Sequence, residues 1–170
     1  MLDHLEGVDG AGSLVMRTAS GDAEVKYVQA SRVEIGTASG DITADALQGV
    51  SAKFGTASGD IGINDCHGES LEAGTASGDI TVKADYKKYA LKSQSGEVTM
   101  ESRHDADVVA NSTSGDVEIR FVEALETYQV TMHSVSGDCT TYGQTKSEST
   151  VPTRTIEAKT ISGDVNVRFL

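Results

Sequence analysis

One tripeptide punctuates this chain. Ser20-Gly21-Asp22 recurs at Ser39-Gly40-Asp41, Ser58-Gly59-Asp60 and Ser77-Gly78-Asp79. It continues at Ser95-Gly96-Glu97, Ser114-Gly115-Asp116, Ser136-Gly137-Asp138 and Ser162-Gly163-Asp164. From serine to serine the steps are 19, 19, 19, 18, 19, 22 and 26 residues. A motif at near-constant spacing marks a repeat architecture, in which each unit buries its apolar face only against its neighbours.

Alignment on the serine exposes two strands per repeat. The residues six, four and two before it are apolar or hydroxylic: Leu14, Met16, Thr18; Val33, Ile35, Thr37; Ala52, Phe54, Thr56; Leu71, Ala73, Thr75. Polar residues such as Glu34, Lys53 and Glu72 intervene. The residues three and five after the serine are again apolar, as in Ile61 and Ile63 or Val117 and Ile119. Alternation of this kind is a strand with one buried face. We call the strand before each serine the leading strand and the one after it the trailing strand. Glycine bends the chain between them, and aspartate can bind neighbouring amides there.

One coil buries too few apolar side chains to offset the ordering of some nineteen residues, so the coils must stack. The expected fold is all-β: a single-domain parallel β-helix over 1–170, with about eight coils of about nineteen residues in a rod roughly 35–40 Å long. The usual hand of parallel crossovers predicts a right-handed solenoid. Residues 1–11 read as a partial first coil, since Asp3-His4-Leu5-Glu6-Gly7 resembles the closing corner Asp45-Ala46-Leu47-Gln48-Gly49. Two closures are enlarged, at Phe121–Tyr128 and in an inserted loop at 143–154 that holds Pro152. A helical turn is expected only near Glu123-Ala124-Leu125-Glu126. The open start predicts further coils or a cap before Met1 in the natural protein, or a homodimer of paired rods.

Composition narrows the function. With 14 basic and 26 acidic side chains the net charge is −12. No basic stripe offers a nucleic-acid surface, and such a charge attracts cations or cationic peptides. No apolar run is long enough to span a membrane as a helix. The amino terminus lacks the basic and apolar regions of a secretion signal.

Four sets of side chains are candidates for chemistry. The acidic column Asp22, Asp41, Asp60, Asp79, Glu97, Asp116, Asp138 and Asp164 caps the bends through backbone amides; the alternative is a calcium ladder on Asp22, Asp41, Asp60, Asp79 and Asp116. The hydroxyl column Thr18, Thr37, Thr56, Thr75, Ser93, Ser112, Ser134 and Thr160 faces inward, as do the eight serines, and reads as a structural ladder. Cys66 at a corner and Cys139, facing inward, lie four coils apart, about 19 Å, and are free thiols. His67, His104 and His133 share no site with them, so no zinc site and no other cofactor is expected. The outer face of the leading strands carries Gly36 and Ala38, Gly55 and Ala57, Gly74 and Ala76. So bare a strip allows a partner to approach closely; it also serves merely to relieve crowding.

The repeated Thr-Ala-Ser-Gly-Asp-Ile, over residues 12–170, resembles the bacterial adhesin family of Ser-Gly-Asp-repeat β-solenoid domains, which includes the carboxy-terminal domains of Lia-type envelope-stress proteins. The ending Ser162-Gly163-Asp164-Val165-Asn166-Val167-Arg168-Phe169 is similar to that family's usual ending. The resemblance implies a solenoid without catalytic residues, in a cell-envelope or surface protein. A cytoplasmic location is the alternative. The expected function is a non-enzymatic binding or scaffold module for a glycan, a cationic peptide or a partner protein. The alternatives are a polysaccharide lyase-like β-helix enzyme and a calcium-stabilised spacer. Arg103, Arg120 and Arg154 are scattered, whereas a lyase gathers its base and acids in one groove.

Overall fold

The computed structural model describes residues 4–6, 12–144 and 151–170. All regular structure in them is β, in fifteen strands. These are β1 (His4–Glu6), β2 (Ser13–Thr18), β3 (Ala23–Lys26), β4 (Gln29–Ser39), β5 (Ile42–Asp45), β6 (Gln48–Ser58), β7 (Ile61–Ser77) and β8 (Ile80–Ser95). There follow β9 (Val98–Ser102), β10 (Asp107–Asn111), β11 (Val117–Phe121), β12 (Tyr128–Ser136), β13 (Cys139–Tyr142), β14 (Arg154–Ser162) and β15 (Val165–Phe169). In β7 and β8 the closing corner stays extended, so one strand serves both faces of the coil.

Equal periods give equal register. Ile42, Ile61, Ile80, Val98 and Val117 pair in succession on the trailing face. Val33, Ala52, Leu71, Tyr89 and Val108 do so on the leading face. Both columns are buried and form the core between the faces. The single 18-residue step is a bulge. Asp65, at φ 49°, is skipped where Asn64 pairs with Lys83 and Cys66 with Ala84.

The stack departs from chain order at one end. The first six Ser-Gly corners follow one another, but Ser114 pairs with Ser162, and Ser162 with Ser136. Strand β11 pairs with β15, and β13 flanks β15 on its far side. On the leading face β10 pairs with β14, and β12 with β14. The last coil is therefore inserted between the sixth and the seventh. The two longest steps, 22 and 26 residues, supply the reach. Skipping a rung takes the chain about 10 Å along the stack to the seventh coil, and the return to the eighth crosses about 5 Å in the opposite direction.

This exchange corrects two expectations. Cys139 is exposed, because its coil is the outermost and nothing described lies beyond it. Val130 and Met132 in the same coil are only half-buried. Secondly, residues 123–126 form no helical turn. Asp105 instead accepts the N–H groups of Leu125 at 3.0 Å and Glu126 at 3.2 Å. Beneath this crossing Phe121 stacks on Phe169 at 6.0 Å, and Tyr128 packs against both rings.

At the start, His4, Leu5 and Glu6 pair with Glu24, Val25 and Lys26. That is a trailing-strand position rather than the closing corner that the sequence suggested. The rest of the expected partial coil, residues 1–3 and 7–11, lies outside the described residues, as does 145–150 within the inserted loop.

The corner glycines are fixed by the backbone. Gly59 has φ 142°, and a Cβ there would lie 2.1 Å from the Gly40 carbonyl oxygen of the preceding coil. Gly55 has no such constraint, its nearest contact being 3.9 Å away. Urea unfolding should therefore show Gly59→Ala to be destabilised by about 3 kcal/mol or more. Gly55→Ala should be as stable as the parent or more stable by about 0.5–1 kcal/mol.

Candidate docking groove on the leading face

The corners are occupied by structural work. Every motif aspartate except Asp138, which ends the stack, turns its carboxylate to the next rung: Asp41 N–H donates to Asp22 Oδ1 at 2.9 Å, Asp60 N–H to Asp41 Oδ1 and Asp79 N–H to Asp60 Oδ1, both at 2.8 Å. The ladder follows space, not chain order, for Asp164 N–H donates to Asp116 Oδ1 and Asp138 N–H to Asp164 Oδ1. Glu97 departs from the pattern. Its own N–H reaches Asp79, but its longer side chain accepts a hydrogen bond from Thr99 Oγ1.

The hydroxyl column is inward as expected. Thr56 Oγ1 donates to the Gly40 carbonyl and Thr75 Oγ1 to that of Gly59, both at 3.1 Å. The eight motif serines are not inward. All are exposed, because the glycine that follows turns the chain away from the core at positive φ and leaves the serine on the rim. Among the described residues no group of three His, Cys, Asp or Glu side chains could hold a metal ion.

The leading face offers a surface that the fold leaves unused. Gly36, Gly55 and Gly74 stand side by side in register. A Cβ at any of them would meet its nearest atom only at 3.7–3.9 Å. The same column carries Arg17, Lys92, Asn111 and Lys159 in other coils. Crowding therefore does not account for these glycines.

Beside them runs the column Glu34, Lys53, Glu72, Ala90 and Val109. Two hollows, of about 470 Å³ and 340 Å³, adjoin there and share Lys53, Glu72, Ala90 and Val109. Together they make one groove across the strands. Ala90 and Val109 (42 % exposed) form an apolar floor between long charged side chains.

Of the residues expected to form the partner face, Gly55 and Gly74 line this groove. Gly36 stands one coil outside, and Ala38, Ala57 and Ala76 lie nearer the corner. Ala90 and Val109 escaped the sequence reading. The available signal was the fifth residue before each serine, where short side chains follow Glu34, Lys53 and Glu72.

Charge in the groove is mostly paired. Lys53 Nζ lies 2.7 Å from Glu72 Oε1. Glu34 is held below its usual pKa by the hydrogen-bonding guanidinium of Arg17, then by that of Arg32. Asp107 lies 3.5 Å from Arg154 Nη1 and accepts the Thr155 N–H.

Elsewhere, a polar notch of about 370 Å³ at the closing corner holds His67 between Asp65 (3.5 Å) and Asp85 (3.8 Å). Arg103 lines this notch, Arg120 pairs with Glu118 and Glu101, and Arg154 sits by the groove, so the three arginines share no site.

The cysteines are both free. Because of the coil exchange they lie five rungs apart instead of four, about 24 Å. Burial pushes the Cys66 thiol up to about 11.

The Toastrack DUF4097 family matches residues 9–168. No curated protein and no solved structure matches the chain. No helix among the described residues is long and apolar enough to cross a membrane.

Two outcomes follow from the corners and thiols. Asp41→Ala should lower stability by about 1 kcal/mol through loss of a bond to the Asp60 N–H, and millimolar calcium should leave the parent Tm unchanged. A thiol reagent at neutral pH should label Cys139 alone in the folded protein and both cysteines in denaturant; rapid labelling of folded Cys66 would contradict its burial.

Proposed function

We propose that this chain, which belongs to the Toastrack DUF4097 family, is a non-enzymatic binding or scaffold module whose partner docks on the leading face. The observation that carries the reading is the column Gly36, Gly55 and Gly74. Glycine weakens a strand, the backbone here does not require it, and larger residues fit in the same column. What glycine does provide is close approach by a second surface. The adjoining groove, with its apolar floor and charged walls, has the make-up of a recognition site. The resemblance to adhesin-type solenoids and Lia-type proteins supports placing the module in the bacterial cell envelope or on its surface.

The enzymatic alternative lacks a comparable focus. Arginine and carboxylate side chains are distributed along the rod; Arg17, Arg32, Arg120, Arg154 and Arg168 are joined in ion pairs, and the corner aspartates accept backbone N–H groups.

A photo-crosslinking residue placed at Ala90 tests the reading in cells. A discrete adduct should form there, be absent when the same residue replaces Thr43 on the trailing face, and vanish in the Gly74→Arg variant at unchanged Tm. Equal adducts from both faces, or none from either, would sink the proposal. Release of unsaturated products from pectin or alginate would restore the lyase alternative.

A further inference from the structure

We infer that the segment this groove receives is an extended acidic stretch of a partner protein, with two carboxylates about 13 Å apart and a small apolar side chain between them. The inference rests on the docking role proposed above and adds the chemistry of the occupant.

It starts from the charges left over. Glu34, Glu72 and Asp107 are each answered by an arginine or lysine. Lys88 and Lys92 have no carboxylate partner among the described residues. They are exposed, they belong to β8, and they bracket Ala90 on its outer face. Lys88 lines one hollow and Lys92 the other, while Ala90 belongs to both. Four residues along a strand span about 13 Å. The groove therefore presents ammonium, apolar floor, ammonium in a line.

An extended peptide has the same period. Side chains at its first, third and fifth residues face one way, so acid, apolar, acid on alternate residues matches Lys88, Ala90 and Lys92. Val109, beside Ala90 on the next rung, widens the apolar contact.

The rest of the molecule sharpens the choice. The chain carries a net charge of −12, so an acidic ligand is repelled from most of its surface and attracted where cations are unpaired. The charge left unpaired here thus favours the opposite sign to the cationic peptide suggested by overall composition. A peptide is favoured over an acidic glycan because the two rings lining the groove, Tyr89 and Phe54, are buried and offer no face for a sugar to stack on.

Fluorescence anisotropy with a labelled peptide of sequence Gly-Glu-Thr-Val-Thr-Glu-Gly tests this. The acidic peptide should bind, more weakly as salt is raised, and its counterpart with lysine for glutamate should not. Lys88→Glu with Lys92→Glu should weaken the acidic peptide at least tenfold at unchanged Tm, and should bind the lysine peptide instead. Equal binding of both peptides by the parent, or no effect of the double reversal, would overturn the inference. So would binding of an oligoguluronate in place of the peptide. If crosslinking at Ala90 captures a partner while the acidic peptide fails, the charge class is wrong and the docking role stands. If both fail, the docking role falls too.

Discussion

Everything in this molecule depends on contact between the backbones of successive corners. The Gly21 N–H donates to the Ser39 carbonyl at 2.9 Å, and the same bond recurs from Gly40 to Ser58 and from Gly59 to Ser77. The rungs meet so closely that a side chain on these glycines has no room. The aspartate carboxylate and the threonine hydroxyl then bind backbone groups that the turn would leave unpaired. A buried backbone group without a partner costs about as much as a lost hydrogen bond. The repeat is thus a device for satisfying the backbone at a bend, and its conspicuous acids serve that bend.

The same device accounts for the exchanged coils. A corner accepts any neighbour that presents Gly, Asp and a hydroxyl at the right spacing. Asp164 fits against Asp116 as well as Asp138 would. Local chemistry does not distinguish the two orders. Packing around the aromatic cluster of Phe121, Tyr128 and Phe169 does, together with loops long enough to pass a rung. The result places the coil with half-buried Val130 and Met132 at the end of the stack.

Function is left to the surfaces that the stacking does not use. Corner glycines and leading-face glycines look alike in the sequence, but they answer to different constraints. The first are compelled by positive φ and contact with the neighbouring rung. The second sit on extended backbone with space above them. Beside them the ion pairs consume the carboxylates and leave Lys88 and Lys92 over, which gives one stretch of an acidic rod a local excess of positive charge.

Periodicity alone determined the all-β class, the parallel register, the two strands per coil, the core columns and the inward hydroxyls. Each is a consequence of spacing, which the sequence carries directly. Part of the proposed docking face was legible in the same way, through Gly55 and Gly74. The order of the last two coils, the exposure of Cys139 and of the motif serines, and the joining of Ala90 and Val109 into one groove were decided by the tertiary structure. The physical reason is common to all of these. They depend on which rung lies against which, and on whether a position lies on the rim or in the core. Alternation within one strand is blind to both.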